Sequence, residues 1–484
     1  MRRQRRTKIV ATLGPATDSE AKLAELMQAG VDLFRLNFSH GTPEEHQQRA
    51  ARIRAISAQL GREVAILGDL QGPKIRIRGF ESGSVILSQG AAFALDTALD
   101  AALGTEQVVG VDLDSLPRSV AAGDVLILDD GRIRLQVTAI EGTRVHCTVI
   151  QGGKLSNRKG LNKLGGGLSA PALTERDLAD IKRAAALGLD YLAVSFPLSA
   201  ADIVQTRTLA TAAGSRAAIV AKIERAEVVQ DEAVLDAIIA ASDAIMVARG
   251  DLGVEIGDAQ LMGAQKQLIN KARAACRTVI TATQMMESMT QSPIPTRAEV
   301  FDVANAVLDG SDAVMLSAET ATGDYPVETV RAMADACIGA EDYPEVYRDN
   351  RNALDSFERV DEGIAMAAVY TANRLHNVAG MVCLTESGTT ALRMSRISSS
   401  LPIYALSRHP EVVRKMSLYR GVIPIVFDYT VFPAEQVANE AIRAVMRLGY
   451  ATPGERLVLT RGDLLGVGGS TTTLKILEAL EETK

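Results

Sequence analysis

Lys222 and Glu224 stand two residues apart in this 484-residue chain, as do Arg249 and Asp251, and Ser317 and Glu319. Along an extended segment alternate side chains share a face, so each pair would project its two polar groups in one direction. Neighbouring strands lie about 4.8 Å apart, so Glu224 and Asp251 could reach one hard cation that keeps its remaining positions for water or phosphate. Magnesium fits this pair best, with manganese as the substitute. A lysine beside such an ion suits phosphoryl transfer, where catalysis is mainly positioning and charge neutralisation. Arg35, Asn37, Ser39, His40, Asp69 and Thr283 add further polar groups of the same kind. A single pair of this sort can equally be an ion pair at a strand end, His40 can simply cap a loop, and Thr283 can satisfy backbone groups.

What raises the whole set above those alternatives is where it falls. Each cluster comes at the end of a short apolar run, and the runs near 9–12, 32–36, 64–69, 191–195, 219–223, 244–247, 279–282 and 313–316 number eight. Buried runs alternating with amphipathic stretches predict a (β/α)8 TIM barrel, an α/β fold whose active sites gather at the C-terminal ends of the strands. Thr17 with Glu20, Thr174 with Asp177, and Thr296 with Glu299 read as capping boxes that open helices, and Gly30 reads as a helix stop. Residues 74–170 differ in texture, with short alternating segments near 124–128, 132–137 and 145–150, and predict an inserted, β-barrel-like lid domain over the barrel mouth. The barrel then occupies 1–73 and 171–340. A Tyr, Pro, Asp and Asn-containing stretch at 341–355 leads to a C-terminal open α/β domain, 350–484, with strands near 381–384, 403–406, 422–427 and 457–460.

Composition narrows the function classes. The net charge of −7, from 52 Lys+Arg against 59 Asp+Glu, provides no general attraction to nucleic acid or an anionic membrane, so any phosphate site must be local. The four cysteines are widely spaced and form no CxxC pair, as expected in a reducing compartment. The basic start, Met1 to Arg6, is followed by too short an apolar run for a signal peptide, and no run approaches the roughly 20 residues of a membrane span. These features predict a cytoplasmic protein.

The segments Thr7–Pro15, Arg35–Gly41, Lys222–Arg225, Met246–Gly253, Ala282–Met285 and Met315–Ala321, in this order, resemble the motifs of pyruvate kinase, and the resemblance covers essentially the whole chain. It implies transfer of the phosphoryl group of phosphoenolpyruvate to ADP, followed by protonation of the enol to pyruvate. Residue by residue it implies Lys222 on the moving phosphoryl group, Glu224 and Asp251 on the divalent metal, and Arg35 on the substrate phosphate. The Gly250 and Asp251 backbone with Thr283 would cradle the substrate carboxylate. Thr283, through water, would lie on the proton-delivery route, with Ser317 and Glu319 around it. Asn37, His40, Arg76 and Lys159 would line the nucleotide side, although Arg158-Lys159 can also be a solvated basic pair. The resemblance also suggests a homotetramer.

In many members of that family a potassium ion sits among residues matching Asn37, Ser39, Asp69 and a Thr, near a Glu. This chain has Leu70, whose carbonyl remains, and Lys74 in place of the Glu. A fixed ammonium can supply the charge that potassium would, and two such close cations would repel, so little potassium requirement is expected. In the terminal domain Thr385, Ser387, Gly388, Thr389 and Thr390 put hydroxyls and N–H groups after a strand, and the resemblance points to a sugar-phosphate or nucleotide effector there; a simple helix cap is the alternative. Gly466 to Ser470 would complete that pocket. Another phosphoenolpyruvate-binding barrel, a mutase or lyase, and an inactive regulatory protein are the rival functions; the lid insertion argues against the first, and intact Lys222, Glu224, Asp251 and Thr283 against the second.

Overall fold

The computed structural model describes residues 5–168, 170–343, 357–463 and 471–480. All eight expected runs are strands: Lys8–Thr12, Leu33–Asn37, Ala65–Asp69, Tyr191–Val194, Ala218–Ile223, Ala244–Ala248, Thr278–Ala282 and Ala313–Leu316. They are parallel and close into a barrel, the first strand pairing with both the second and the eighth. Nearly continuous burial on both faces explains why the runs read as apolar rather than alternating. One face fills the interior with Val10, Leu67, Val220, Met246 and Met315, and the other packs against the surrounding helices.

Helix starts follow local chemistry. Thr174, Thr296 and also Thr42 accept from the backbone N–H three residues on, while Asp177, Glu299 and Glu45 reach back to the cap. The expected box at Thr17 and Glu20 is corrected. Thr17 ends a short 3-10 turn, and Ser19 caps the helix Glu20–Ala29 by accepting from Lys22 N–H. Gly30 closes that helix at φ +126°, as expected.

The insertion forms a six-stranded sheet of Ala92–Asp96, Val108–Gly110, Val125–Leu128, Ile133–Glu141, Arg144–Gln151 and Leu161–Lys163, with a separate ribbon of Ser84–Leu87 and Gly153–Ser156. It has its own core around Phe93, Leu126 and Val145. The C-terminal sheet runs in the order Val422–Val426, Ile403–Ser407, Val378–Leu384, Arg456–Gly462 and Thr471–Glu478. Its first four strands are the expected ones and run parallel; the fifth, antiparallel strand was not anticipated from sequence.

The C-terminal domain also forms the floor of the barrel. Leu418 and Tyr419 pack into the interior cluster from below. Beside them Arg396, 2 % exposed, is fully buried against Asp312, donating to Asp312 Oδ2 at 2.9 Å and to Asp312 Oδ1. Asp312 Oδ2 also accepts from Val279 N–H, and Oδ1 from Arg420 N–H. One carboxylate thus ties together the starts of the last two barrel strands and the neighbouring domain.

At the same end, Asp32 accepts from Arg5 at 2.8 Å, Arg62 at 3.0 Å and Ile9 N–H at 2.9 Å. Burial alone would raise its pKa, but the charges of Arg5, Lys8 and Arg62 outweigh it and hold the carboxyl at about 2. A depressed carboxylate stabilises the fold above its ordinary value near 4 and loses that contribution as pH falls through the folded value. The Asp32 ionisation therefore supports the fold by about 2–3 kcal/mol at neutral pH. In urea unfolding, Asp32→Asn should cost that much at pH 7, and the gap from the parent should narrow as pH drops from 4 towards 2. A gap independent of pH would contradict the charge argument.

Candidate active site

The polar strand ends do converge. Lys222, on the fifth barrel strand, places Nζ 2.9 Å from Glu224 Oε1, 2.8 Å from Ser195 Oγ and 3.5 Å from Asp69 Oδ1. Arg35, from the second strand, donates to Asp69 Oδ2 at 2.6 Å and to Thr12 Oγ1 at 3.1 Å. Asp69 therefore lies between two cations, and although burial opposes it, Lys222 and Arg35 pull its pKa down. Burial works against the charged Lys222 as well, but Asp69 and Glu224 outweigh it and raise its pKa, so the ammonium persists at any working pH. Burial, reinforced by Asp251, pushes Glu224 up to about 7 against the pull of Lys222.

Glu224 Oε2 accepts from Phe196 N–H at 2.7 Å. Its Oε1 is buried without an oriented hydrogen bond and meets only the Lys222 charge. This buried oxygen, ion-paired to Lys222, with Asp251 adding negative charge from the helix after the next strand, fits a hard divalent cation. No group of three or more His, Cys, Asp or Glu suited to a metal occurs among the described residues. Two carboxylates suffice for magnesium when substrate and water complete the shell.

Two pairs depart from the extended geometry expected of them, because the chain turns helical as soon as the strand ends. Arg249 opens the helix Arg249–Ile256 and folds back, donating to both Asp302 carboxylate oxygens, at 2.7 and 2.8 Å, and to Thr283 O at 2.6 Å. Asp251 lies in the first turn of that helix instead of alternating along a strand. Glu319 likewise turns into the helix Ala318–Ala321, accepting from Ser317 N–H at 2.7 Å and Met286 N–H at 3.3 Å. Burial raises its pKa, opposed by these backbone donors. In this arrangement Glu319 braces the loops after the seventh and eighth strands.

Thr283 accepts from Gly250 N–H at 2.8 Å and donates to Ala282 O at 2.6 Å. Its φ of +68° is costly for a β-branched residue, and Phe196 at +55° is similarly placed. Strain of this kind persists where surrounding structure over-determines it, commonly at functional sites.

Toward the lid, Lys159 pairs with Asp129 at 2.7 Å, and Arg76 donates to Arg158 O at 3.0 Å. Asn37 Oδ1 accepts from Ser39 N–H, Leu70 O accepts from Ser195 Oγ, and His40 is exposed. Lys74 bridges Asp251 at 3.0 Å and Asp130 at 3.7 Å, so its salt bridges place it on the Asp251 side rather than against Asp69. Burial opposes its charge, but Asp251 and Asp130 raise its pKa.

Sequence reasoning passed over Ser195, which joins Lys222, Asp69 and Leu70, and Phe196, whose N–H holds Glu224. Ser195 directly follows the fourth strand, so the strand-end rule that found the others would have found it.

In the terminal domain Gly388, at φ +84°, donates to Thr385 Oγ1, Ser387 bonds Thr389, and Thr390 bonds Thr471. Between them Glu386 is held by Arg408, His409 and Tyr429. The Gly466–Ser470 segment lies outside the described residues.

A closed parallel barrel with a lysine and carboxylates at its mouth, an inserted sheet and an open terminal α/β domain define a three-part barrel protein of enzyme type. Residues 4–330 match the pyruvate kinase barrel domain, and residues 362–477 match the pyruvate kinase alpha/beta domain. The chain is 55% identical to pyruvate kinase II of Salmonella typhimurium over 98% of its length and 99% of that protein's. It is 54% identical to a pyruvate kinase of Haemophilus influenzae, covering 95% and 96% of the two chains. A crystal structure of a pyruvate kinase from Cryptosporidium parvum superposes with a TM-score of 0.90 at 34% identity, over 98% of this chain and 96% of that one. This chain belongs to the pyruvate kinase family.

Proposed function

We propose that the protein transfers the phosphoryl group of phosphoenolpyruvate to ADP and protonates the resulting enolate to pyruvate. The observation that carries this reading is the Lys222 ammonium held among Asp69, Ser195 and Glu224. Lys222 meets the charge on the moving phosphoryl group, and Arg35, fixed by Asp69 and Thr12, orients the phosphate. Glu224 and Asp251 would hold magnesium or manganese, which would supply Lewis-acid charge for the transfer. Gly250 and Thr283 cradle the substrate carboxylate, and Thr283 orders the water that delivers the proton, with Ser317 and Glu319 shaping that pocket. Asn37, His40, Arg76 and Lys159 face ADP.

We propose further that Lys74 supplies the positive charge for which other members use potassium bound near Asn37, Ser39, Asp69 and Leu70. Substrate and metal would draw Asp251 away from Lys74 and free its ammonium. Pyruvate formation with magnesium should then be insensitive to potassium. Lys74→Glu should lower potassium-free turnover by about tenfold, roughly 1.4 kcal/mol of charge stabilisation, and potassium should restore it. Parent turnover that requires potassium would refute the role of Lys74 while leaving the reaction standing.

A phosphorylated effector, a sugar phosphate or a nucleotide, is the ligand we assign to Thr385, Ser387, Gly388, Thr389 and Thr390. A homotetramer in the cytoplasm completes the proposal. Among the described residues no helix is long and apolar enough to cross a membrane, and the exposed Ile294 and Phe301 offer apolar surface for assembly.

A further inference from the structure

Glu255 lies in the last turn of the helix that begins with Arg249, Gly250 and Asp251, and it is 1 % exposed. A buried carboxylate needs a reason. Its oxygens face two different parts of the molecule, the lid's return strand and the loop after the fifth barrel strand. Oε1 accepts from Asn162 Nδ2 at 3.2 Å and from Arg225 at 3.2 Å; Oε2 accepts from Ala226 N–H at 2.9 Å. The Glu255 carbonyl accepts from Gly165 N–H at 2.8 Å.

Asn162 belongs to Leu161–Lys163, the strand by which the lid returns to the barrel, three residues beyond Lys159. Arg225 and Ala226 directly follow Glu224, and the Arg225 guanidinium stacks over Phe196, whose N–H fixes Glu224. Asp251 lies one helical turn before Glu255, at the i,i+4 spacing that puts both on one helix face. A single buried side chain thus connects the lid's return strand to the backbone on either side of the divalent site.

We infer that Glu255 is a positioning residue that couples the lid to the divalent-metal ligands, so that the setting of Leu161–Lys163 and the placement of Glu224 and Asp251 change together. This rests on the assignment of Glu224 and Asp251 as metal ligands. The bond that carries the coupling is the one from Asn162, a lid residue with no metal role.

The test is Mn2+ binding to the substrate-free, full-length protein, followed by electron paramagnetic resonance of the free ion. Asn162→Leu removes the amide while keeping the branched shape. It should weaken Mn2+ binding about threefold or more, within the range that loss of one buried hydrogen bond allows. Glu255→Gln should weaken binding further, because it also disturbs the bonds to Arg225 and Ala226, and the double variant no more than Glu255→Gln alone, because Asn162 acts only through Glu255. In turnover, the Mg2+ concentration for half-activation of Asn162→Leu should rise by the same factor while kcat at saturating Mg2+ stays within about twofold. Folded Asn162→Leu with parental Mn2+ affinity, or losses that multiply in the double variant, would overturn the coupling alone. Parent protein that binds no Mn2+ would overturn the metal assignment and the coupling with it.

Discussion

Replacing Lys222 with methionine should lower kcat by about three orders of magnitude, the scale at which removing a charge that stabilises a phosphoryl or oxyanion transition state is felt. The reason is electrostatic and local. Lys222 is the cation shared by Asp69 and Glu224, and its charge survives burial because those two carboxylates hold it. Methionine keeps most of the volume, and Arg35 remains on Asp69, so phosphoenolpyruvate affinity should change far less than turnover. Steady-state kinetics on the purified variant would check this; a variant within tenfold of the parent kcat would remove Lys222 from the chemistry.

The largest effect on stability should come from Arg396 and Asp312, at the other end of the barrel. Both are almost wholly buried, and removing one partner leaves the other as an uncompensated charge, at a cost of about 3–5 kcal/mol. Because Asp312 also holds Val279 and Arg420, the loss should appear as the C-terminal domain separating early from the barrel floor where Leu418 and Tyr419 insert. Urea unfolding of Arg396→Met should show an early transition absent from the parent. Unfolding that matches the parent within about 1 kcal/mol would mean that apolar packing alone holds the two parts together.

The contrast between these two ends explains what the chain disclosed in advance. Barrel strands buried on both faces leave uninterrupted apolar runs such as Ala244–Ala248, and polar residues at or just beyond their ends mark the mouth. Lys222, Glu224 and Asp69 were therefore legible from position alone. The directions of Arg249 and Glu319 were not, because alternation along a strand stops applying where a helix begins at the next residue. Thr471–Glu478 escaped notice because an edge strand shares its pattern with solvated loops: its residues are mostly half-buried or exposed. The Arg396–Asp312 pair lay equally hidden, since residues 84 apart in sequence give no local signal of contact.

The location of Lys74 shows a further limit. Its type suggested a cation substitute, but its partners, Asp251 and Asp130, depend on how the inserted sheet returns over the barrel. The fold supplies that information. The same return sets Asn162 against Glu255.

The most direct test of the central reading is phosphorus NMR of the purified protein with phosphoenolpyruvate, ADP and Mg2+. The account predicts that the phosphoenolpyruvate signal is replaced one for one by the γ-phosphate of ATP, and that nothing happens without ADP. Phosphoenolpyruvate consumed without ADP, or phosphorus appearing in any other product, would contradict it.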